Sequence, residues 1–315
     1  MPTAVSLFTG CGGSDAGLTQ AGFDVVMASD ISPYARDLYA ANLPETDYRL
    51  GDVRQIRAFP SADLLVGCYP CQGFSVGGTR DPNSHINYLY REFDRALRQI
   101  KPKAFVVENV SGMVRASHRH LLENQLRRFR LAGYRVTHSV LDARYFGVPQ
   151  ERSRLFFVGI RSDIGVGYQF PEATHALDGC EGKPLCPNIR DTIGDLPLWP
   201  EDETYDRQPF HWYYLSRNRW RDWHERARTV VAVSRHTALH PVSPPLERVH
   251  TDKWQFHRDA PARRFSFVET ARLQGFARGL VFPDTAGIRS KYQVIGNAVP
   301  PPLFHAVVKA LPQVW

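Results

Sequence analysis

The stretch Val5-Ser-Leu-Phe-Thr-Gly-Cys-Gly-Gly-Ser-Asp-Ala-Gly-Leu-Thr-Gln-Ala-Gly-Phe23 decides how the chain is read. Residues 5–8 are a short apolar run suited to a buried strand. Residues 8–13 form a glycine-rich loop, and residues 14–21 carry a helical pattern that stops at Gly22. Strand, glycine loop and helix make the opening unit of a doubly wound α/β sheet, whose ligands bind at the carboxyl ends of the strands. The same alternation continues, with strands expected at residues 25–29, 63–67, 104–108, 135–141 and 155–160. Helices are expected at 34–41, 88–100 and 118–132, ended by Pro44, Pro102 and Gly133. The alternation predicts a Rossmann-like doubly wound sheet.

Regular periodicity lapses from about residue 163 to 262, a stretch rich in proline, glycine, charge and aromatics. This predicts a second, smaller, irregular domain, with boundaries at 1–162, 163–262 and 263–315. Order resumes at Ser266, where Ser266 and Glu269 form a capping box for a helix at 270–273. A Gly296-Asn297 turn then leads into a final helix at about 302–311. No internal repeat is visible.

The chain has 315 residues, 43% of them hydrophobic, enough for a sizeable core. Its start lacks a basic region followed by a long apolar stretch, and no segment approaches eighteen apolar residues in a row, so a cytoplasmic, unanchored protein is expected. Five cysteines, an odd and sparse set, argue against a disulfide framework. The net charge of +7 points to a polyanionic partner. That charge is concentrated in residues 207–264, with 12 Lys+Arg against 5 Asp+Glu, four of the six tryptophans and half of the histidines. Such a window suits a surface that meets phosphates and stacks on bases, and equally a solvated basic face over a small aromatic core.

The glycine loop is not a dinucleotide site. Counting from Gly10, Asp15 stands where the third glycine of G-x-G-x-x-G belongs. Asp30, at the end of the second expected strand, is placed to accept ribose hydroxyls, and Asp52, at the end of the third, to bind an adenine amino group. An adenosine cofactor without a diphosphate, S-adenosylmethionine, satisfies this set. On the same rim lies Gly67-Cys-Tyr-Pro-Cys-Gln-Gly-Phe-Ser75. Zinc would need two more ligands, and Cys180 and Cys186 lack knuckle spacing. A redox Cys-x-x-Cys normally opens a helix, and the residues after Cys71 read as loop. The preferred reading is one nucleophile, Cys71, with Cys68 packed at the strand end. Glu108, Arg152 and Arg154 converge on that rim.

The blocks SLFTGCGGSDAGLTQAGF, GDV, GCYPCQGFS, FVVENV, QERSR, RRFSFVETARLQGF and YQVIGNAVPP, in this order, resemble the cytosine-C5 DNA methyltransferases of bacterial restriction-modification systems. The resemblance implies an S-adenosylmethionine-dependent methyltransferase with catalytic residues 1–162, a target recognition domain at 163–262 and a return to the catalytic domain at 263–315. It implies that Phe8, Thr9, Gly10, Cys11, Gly12, Gly13, Asp30, Ile31, Asp52, Val53, Pro70, Gln72 and Asn297 surround the cofactor. It further implies that Cys71 attacks C6 of a flipped cytosine, that Glu108 and Arg154 hold that base, and that Arg152 assists. Asp30 departs from the family, which more often has glutamate there. No metal is required, and the implied partner is double-stranded DNA, bound by a nucleoid-associated monomer that a cognate restriction endonuclease could accompany.

An RNA substrate is the alternative, but the tripeptide Cys-Phe-Thr of the RNA-modifying branch is absent. A non-catalytic DNA-binding paralogue would be expected to lose Cys71 or Glu108. For DNA contacts, Ser75, Arg217, Arg219, Arg228 and Arg235 are the candidates. Tyr214-Leu-Ser-Arg-Asn-Arg-Trp220 with Thr229-Val-Val-Ala-Val-Ser-Arg-His236 resembles the recognition segment of GGCC-specific members.

Overall fold

A computed structural model describes residues 1–70, 88–115, 118–179, 182–200, 204–210, 213–257 and 260–315. The first half alternates as expected: β1 (Thr3–Leu7), α1 (Gly13–Gln20), β2 (Asp24–Asp30), α2 (Pro33–Asn42), β3 (Asp47–Leu50), β4 (Leu64–Gly67), α3 (Tyr90–Ile100), β5 (Ala104–Val110), α4 (Arg119–Leu131), β6 (Tyr134–Asp142) and β7 (Ser153–Arg161). Short elements follow: α5 (Ile189–Ile193), α6 (Tyr213–Ser216), β8 (Glu247–His250) and β9 (Lys253–Gln255). Then come α7 (Phe267–Gln274), α8 (Ile288–Asn297) and α9 (Pro301–Lys309). No helix of the described residues is long and apolar enough to cross a membrane.

The seven strands β1–β7 form one sheet in the order β3-β2-β1-β4-β5-β7-β6. Strands β1 to β5 pair in parallel, whereas β7 runs antiparallel to both β5 and β6. The sheet is therefore mixed. The reason is local: residues 143–152, which join β6 to β7, hold only a short 3-10 turn and no crossover helix, and a parallel return needs a dozen or more residues. Strand order reverses between β1 and β4, so the loops after these two strands open at the topological switch point.

β1, β4 and β5 are buried almost end to end, as expected for strands covered on both faces. Phe93, Phe105, Phe129 and Phe157 interlock beneath them, with ring centroids 4.7 to 6.1 Å apart. The sequence patterns place helix ends within about two residues. The capping box forms as read, Ser266 Oγ accepting from the Glu269 amide and Glu269 Oε2 from the Ser266 amide, although α7 begins at Phe267.

Two expectations change. Asp52 does not end β3; it lies two residues beyond and caps a 3-10 turn at Val53–Gln55. Gly296 and Asn297 are not a turn but the last residues of α8. A Cβ at Gly296 would stand 2.3 Å from the Val231 carbonyl carbon, so glycine is required by close approach of backbone.

The chain forms two compact units: residues 1–142, 153–172 and 303–315, and residues 143–152 with 173–302. In the second, Tyr214, Leu239 and Leu246 form a small core with Phe210, Trp220, Trp254 and Phe256 packed against it. Trp223 meets the His240 ring edge-on at 5.0 Å. Two of the four tryptophans in the basic window thus pack on this core and a third on buried His240, and the fourth, Trp212, lies outside the described residues.

Candidate active site

The loop after β1 turns sharply because three of its residues take left-handed backbone conformations: Phe8 (φ 59°), Gly10 (57°) and Gly12 (87°). For Phe8 such a conformation costs energy and marks a constrained position. A Cβ at Gly12 would lie 2.9 Å from the Tyr39 ring, whereas one at Gly10 would point into open space. The loop is held from β2. Gly10 donates its amide to Asp30 Oδ2 and Ser32 donates to Asp30 Oδ1, both at 2.9 Å. Burial raises the Asp30 carboxyl above its usual pKa, opposed by these backbone donors. Next to it, just past β2, the Ile31 side chain is 69% exposed.

Beneath the loop lies a residue that the sequence reading used only to reject a dinucleotide pattern. Asp15 is fully buried and accepts four hydroxyl bonds: Ser6 and Thr9 at 2.6 Å, Ser14 and Tyr39 at 2.9 Å. Burial raises its pKa, and the hydroxyls oppose that. One carboxylate thus ties together β1, the loop, α1 and α2. The spacing of Ser6, Thr9 and Ser14 around an aspartate was the available signal. Asp52 accepts the Arg54 guanidinium at 2.5 Å and the Arg54 amide at 2.9 Å. A cleft of about 410 Å³ lined by Leu50, Gly51, Asp52 and Gln55 adjoins it.

Glu108 near the end of β5 and Arg154 at the start of β7 meet directly. The antiparallel register sets Glu108 opposite Phe156, so Arg154 is its diagonal neighbour on the same face, with Nε 2.8 Å from Glu108 Oε1. Burial lowers the Arg154 pKa, and the Glu108 carboxylate opposes the shift. The adjacent Asn109, also buried, donates to the Tyr69 carbonyl at 3.3 Å, and Tyr69 donates its hydroxyl to Gln125 at 2.5 Å. Asn109 and Gln125, which the sequence reading passed over, therefore brace Tyr69, two residues before Cys71 in the chain. Cys71, Gln72 and Ser75 lie outside the described residues. Burial above all, with the Glu108 and Asp15 carboxylates, pushes the Cys68 thiol well above its ordinary pKa. Burial takes Cys11 to about 12. Both shifts disfavour the thiolate, the reactive form of the side chain. Among the described residues no group of three or more His, Cys, Asp or Glu side chains could hold a metal.

Other candidates belong to the second unit. Arg152 is buried and donates to the carbonyls of Val230 (3.1 Å), Gly296 (3.0 Å) and Ala298 (2.8 Å), which fixes backbone. Asn297 is exposed at the end of α8. Arg217 and Arg235 are exposed, the latter on a 3-10 turn at Ser234–His236. Arg219 is buried and donates to the His236 carbonyl at 3.0 Å, shaping the loop that carries Arg235. Arg228 pairs with Glu151 at 3.2 Å.

The chain is similar over 98% of its length to Type II methyltransferases: M.BspRI of Lysinibacillus sphaericus, 35% identical with 81% of that protein covered, and M.NgoPII of Neisseria gonorrhoeae, 33% identical with 94% covered. Its fold matches that of EhMeth, an Entamoeba histolytica methyltransferase, with a TM-score of 0.70 at 16% identity, covering 98% of this chain and 97% of that one. It also matches a Spodoptera frugiperda DNMT2 variant with a TM-score of 0.69 at 16% identity, over 98% and 99% of the two chains. The model of the C-5 cytosine-specific DNA methylases matches residues 3–313, nearly the whole chain with the glycine loop, Glu108 and Arg154 inside it: the chain belongs to the C-5 cytosine-specific DNA methylase family.

Proposed function

We propose that the protein transfers a methyl group from S-adenosylmethionine to C5 of a flipped-out cytosine in duplex DNA, as the modification enzyme of a Type II restriction-modification system. The observation that carries this reading is the largely buried Glu108–Arg154 pair beside the segment braced by Asn109. C5 of cytosine is too weak a nucleophile to be methylated directly. Addition of the Cys71 thiolate to C6 makes C5 enamine-like, dividing one hard step into easier ones. Glu108 would hold N3 and the exocyclic amine and stabilise the charge that develops there, while Arg154 would hold O2. Loss of the C5 proton to a base, with water as a candidate, then expels the thiolate. Flipping the base costs roughly a few kcal/mol of pairing and stacking.

When bound, S-adenosylmethionine supplies the electrophilic methyl group. The residues present fit it. Gly10 leaves open space where a side chain would stand, Asp30 keeps lone pairs for ribose hydroxyls, and exposed Ile31 and left-handed Phe8 offer apolar surface to an adenine. Asp52 and Val53 would take the adenine edge, Asp52 sharing its carboxylate with Arg54. Thr9, Cys11, Gly12, Gly13, Pro70, Gln72 and Asn297 complete the proposed set.

Residues 163–262 would grip the duplex, with Arg217, Arg228 and Arg235 toward DNA. GGCC is the target proposed from the recognition segment, since bidentate arginine to guanine is the commonest specific contact. A monomer in the cytoplasm, near the nucleoid and accompanied by a cognate endonuclease, completes the reading. The test is trapping: duplex carrying 5-fluorocytosine should give a denaturation-resistant adduct with the wild type and none with Cys71→Ser. Equal adduct formation by both would overturn the assignment. Bisulfite sequencing of plasmid DNA from a methylation-free host expressing the protein reads the target, and methylation centred elsewhere than GGCC would refute that part alone.

A further inference from the structure

Glu151, between the buried residues Gln150 and Arg152, is committed to the surface by backbone geometry. Within the second unit, residues 149–152 run alongside residues 227–230. Gln150 and Ala227 form a parallel bridge, the Glu151 amide donates to the Ala227 carbonyl at 2.9 Å, and the Ala227 amide donates to the Pro149 carbonyl at 2.8 Å. Gln150 accepts the Val230 amide at 2.9 Å and Arg152 donates to the Val230 carbonyl at 3.1 Å, both side chains pointing inward. In an extended segment the residue between two inward ones points outward. The Glu151 side chain is accordingly 35% exposed.

There it meets the two arginines that flank this part of the basic window. Its carboxylate lies 3.2 Å from Arg228 and 3.5 Å from Arg221, and Arg221 also faces Glu225 at 3.5 Å. Both contacts are long and partly wet, the kind that contributes little to stability and is readily exchanged. A phosphate arriving at Arg228 meets a carboxylate already there, and must either displace it or approach a like charge. Binding to non-target DNA is almost entirely phosphate contact, so it bears that penalty in full. A target bears the same penalty but adds base contacts, so the guard shortens non-target binding without removing target binding.

We propose that Glu151 is an electrostatic guard on Arg221 and Arg228, a residue that weakens their grip on duplex phosphates. The proposal rests on reading residues 163–262 as the DNA-facing region. Glu151→Gln keeps the size of the side chain and all the backbone bonds, so folding is retained. With poly(dA-dT) duplex, which holds no cytosine and cannot be a target, its dissociation constant should fall about three- to tenfold at low salt. The log–log salt slope should steepen by about one phosphate. In tritium transfer to plasmid DNA, the same duplex should inhibit the variant at a correspondingly lower concentration. Unchanged or weaker binding of poly(dA-dT) would overturn the guard. Arg228→Ala separates the layers: it should weaken binding to all duplexes, and if it leaves DNA binding unaltered, the DNA-facing reading of this segment fails instead.

Discussion

The rim of the sheet and the basic window of the second unit solve the same problem, holding polar groups in place, by different means. At the rim, strand register does most of it. Glu108 and Arg154 meet because β5 and β7 pair antiparallel, and the β1 loop is anchored by a carboxylate at the end of the adjacent β2. In the second unit few regular ladders exist, and arginine side chains take their place by donating to backbone carbonyls. Arg264 holds the carbonyls of Asp206, Gln208 and Pro209, Arg226 those of Leu177 and Cys186, and Arg152 three more. Arg263 pairs in bidentate fashion with Glu269 at 2.8 and 2.9 Å, inside the capping box of α7. An irregular backbone leaves carbonyls that sheet and helix would have satisfied, and a guanidinium with five donors satisfies several at once. A count of positive charge in such a domain therefore overstates the surface available to DNA.

The sharpest way to break this contrast is to remove one scaffolding arginine. Arg264→Met keeps much of the buried volume but strands three carbonyls, each worth roughly 1–3 kcal/mol when left unpaired, so a loss of about 3 kcal/mol or more is expected. Arg49→Met, which removes an exposed pair with Asp47 and an exposed bond to the Ala58 carbonyl that water can replace, should cost less than about 1 kcal/mol. Urea unfolding monitored by tryptophan fluorescence compares them, and equal losses would erase the distinction. At the rim the corresponding test is Asp30→Ala. It should weaken S-adenosylmethionine binding by about ten- to a hundredfold, or roughly 1–3 kcal/mol, while DNA affinity stays within about twofold. Calorimetry showing unchanged cofactor affinity would refute the role given to Asp30. The smallest effect separates two arginines of the second unit. Arg219→Ala should lower the urea midpoint through its lost bond to His236. Exposed Arg235→Ala should leave the midpoint unchanged and relax one target position by roughly 1–3 kcal/mol. Relative methylation of single-substituted target duplexes measures the latter, and a uniform loss across all of them would make Arg235 a phosphate clamp.

Sequence alone determined the alternating first half, its helix ends to within about two residues, and the capping box at Ser266 and Glu269, because each of these is written in short-range pattern. Period, terminator and the order of residue types survive without knowledge of distant contacts. Tertiary structure decided the rest. The antiparallel β7 follows from a link too short for a crossover, and the need for glycine at 296 follows from a backbone 65 positions away at Val231. The four hydroxyls around Asp15 come from β1, its loop, α1 and α2, so no window of sequence contains them all. The division of the basic window into buried scaffold and exposed surface depends on which carbonyls the folded chain leaves unpaired, a property of the whole irregular domain that no local pattern encodes.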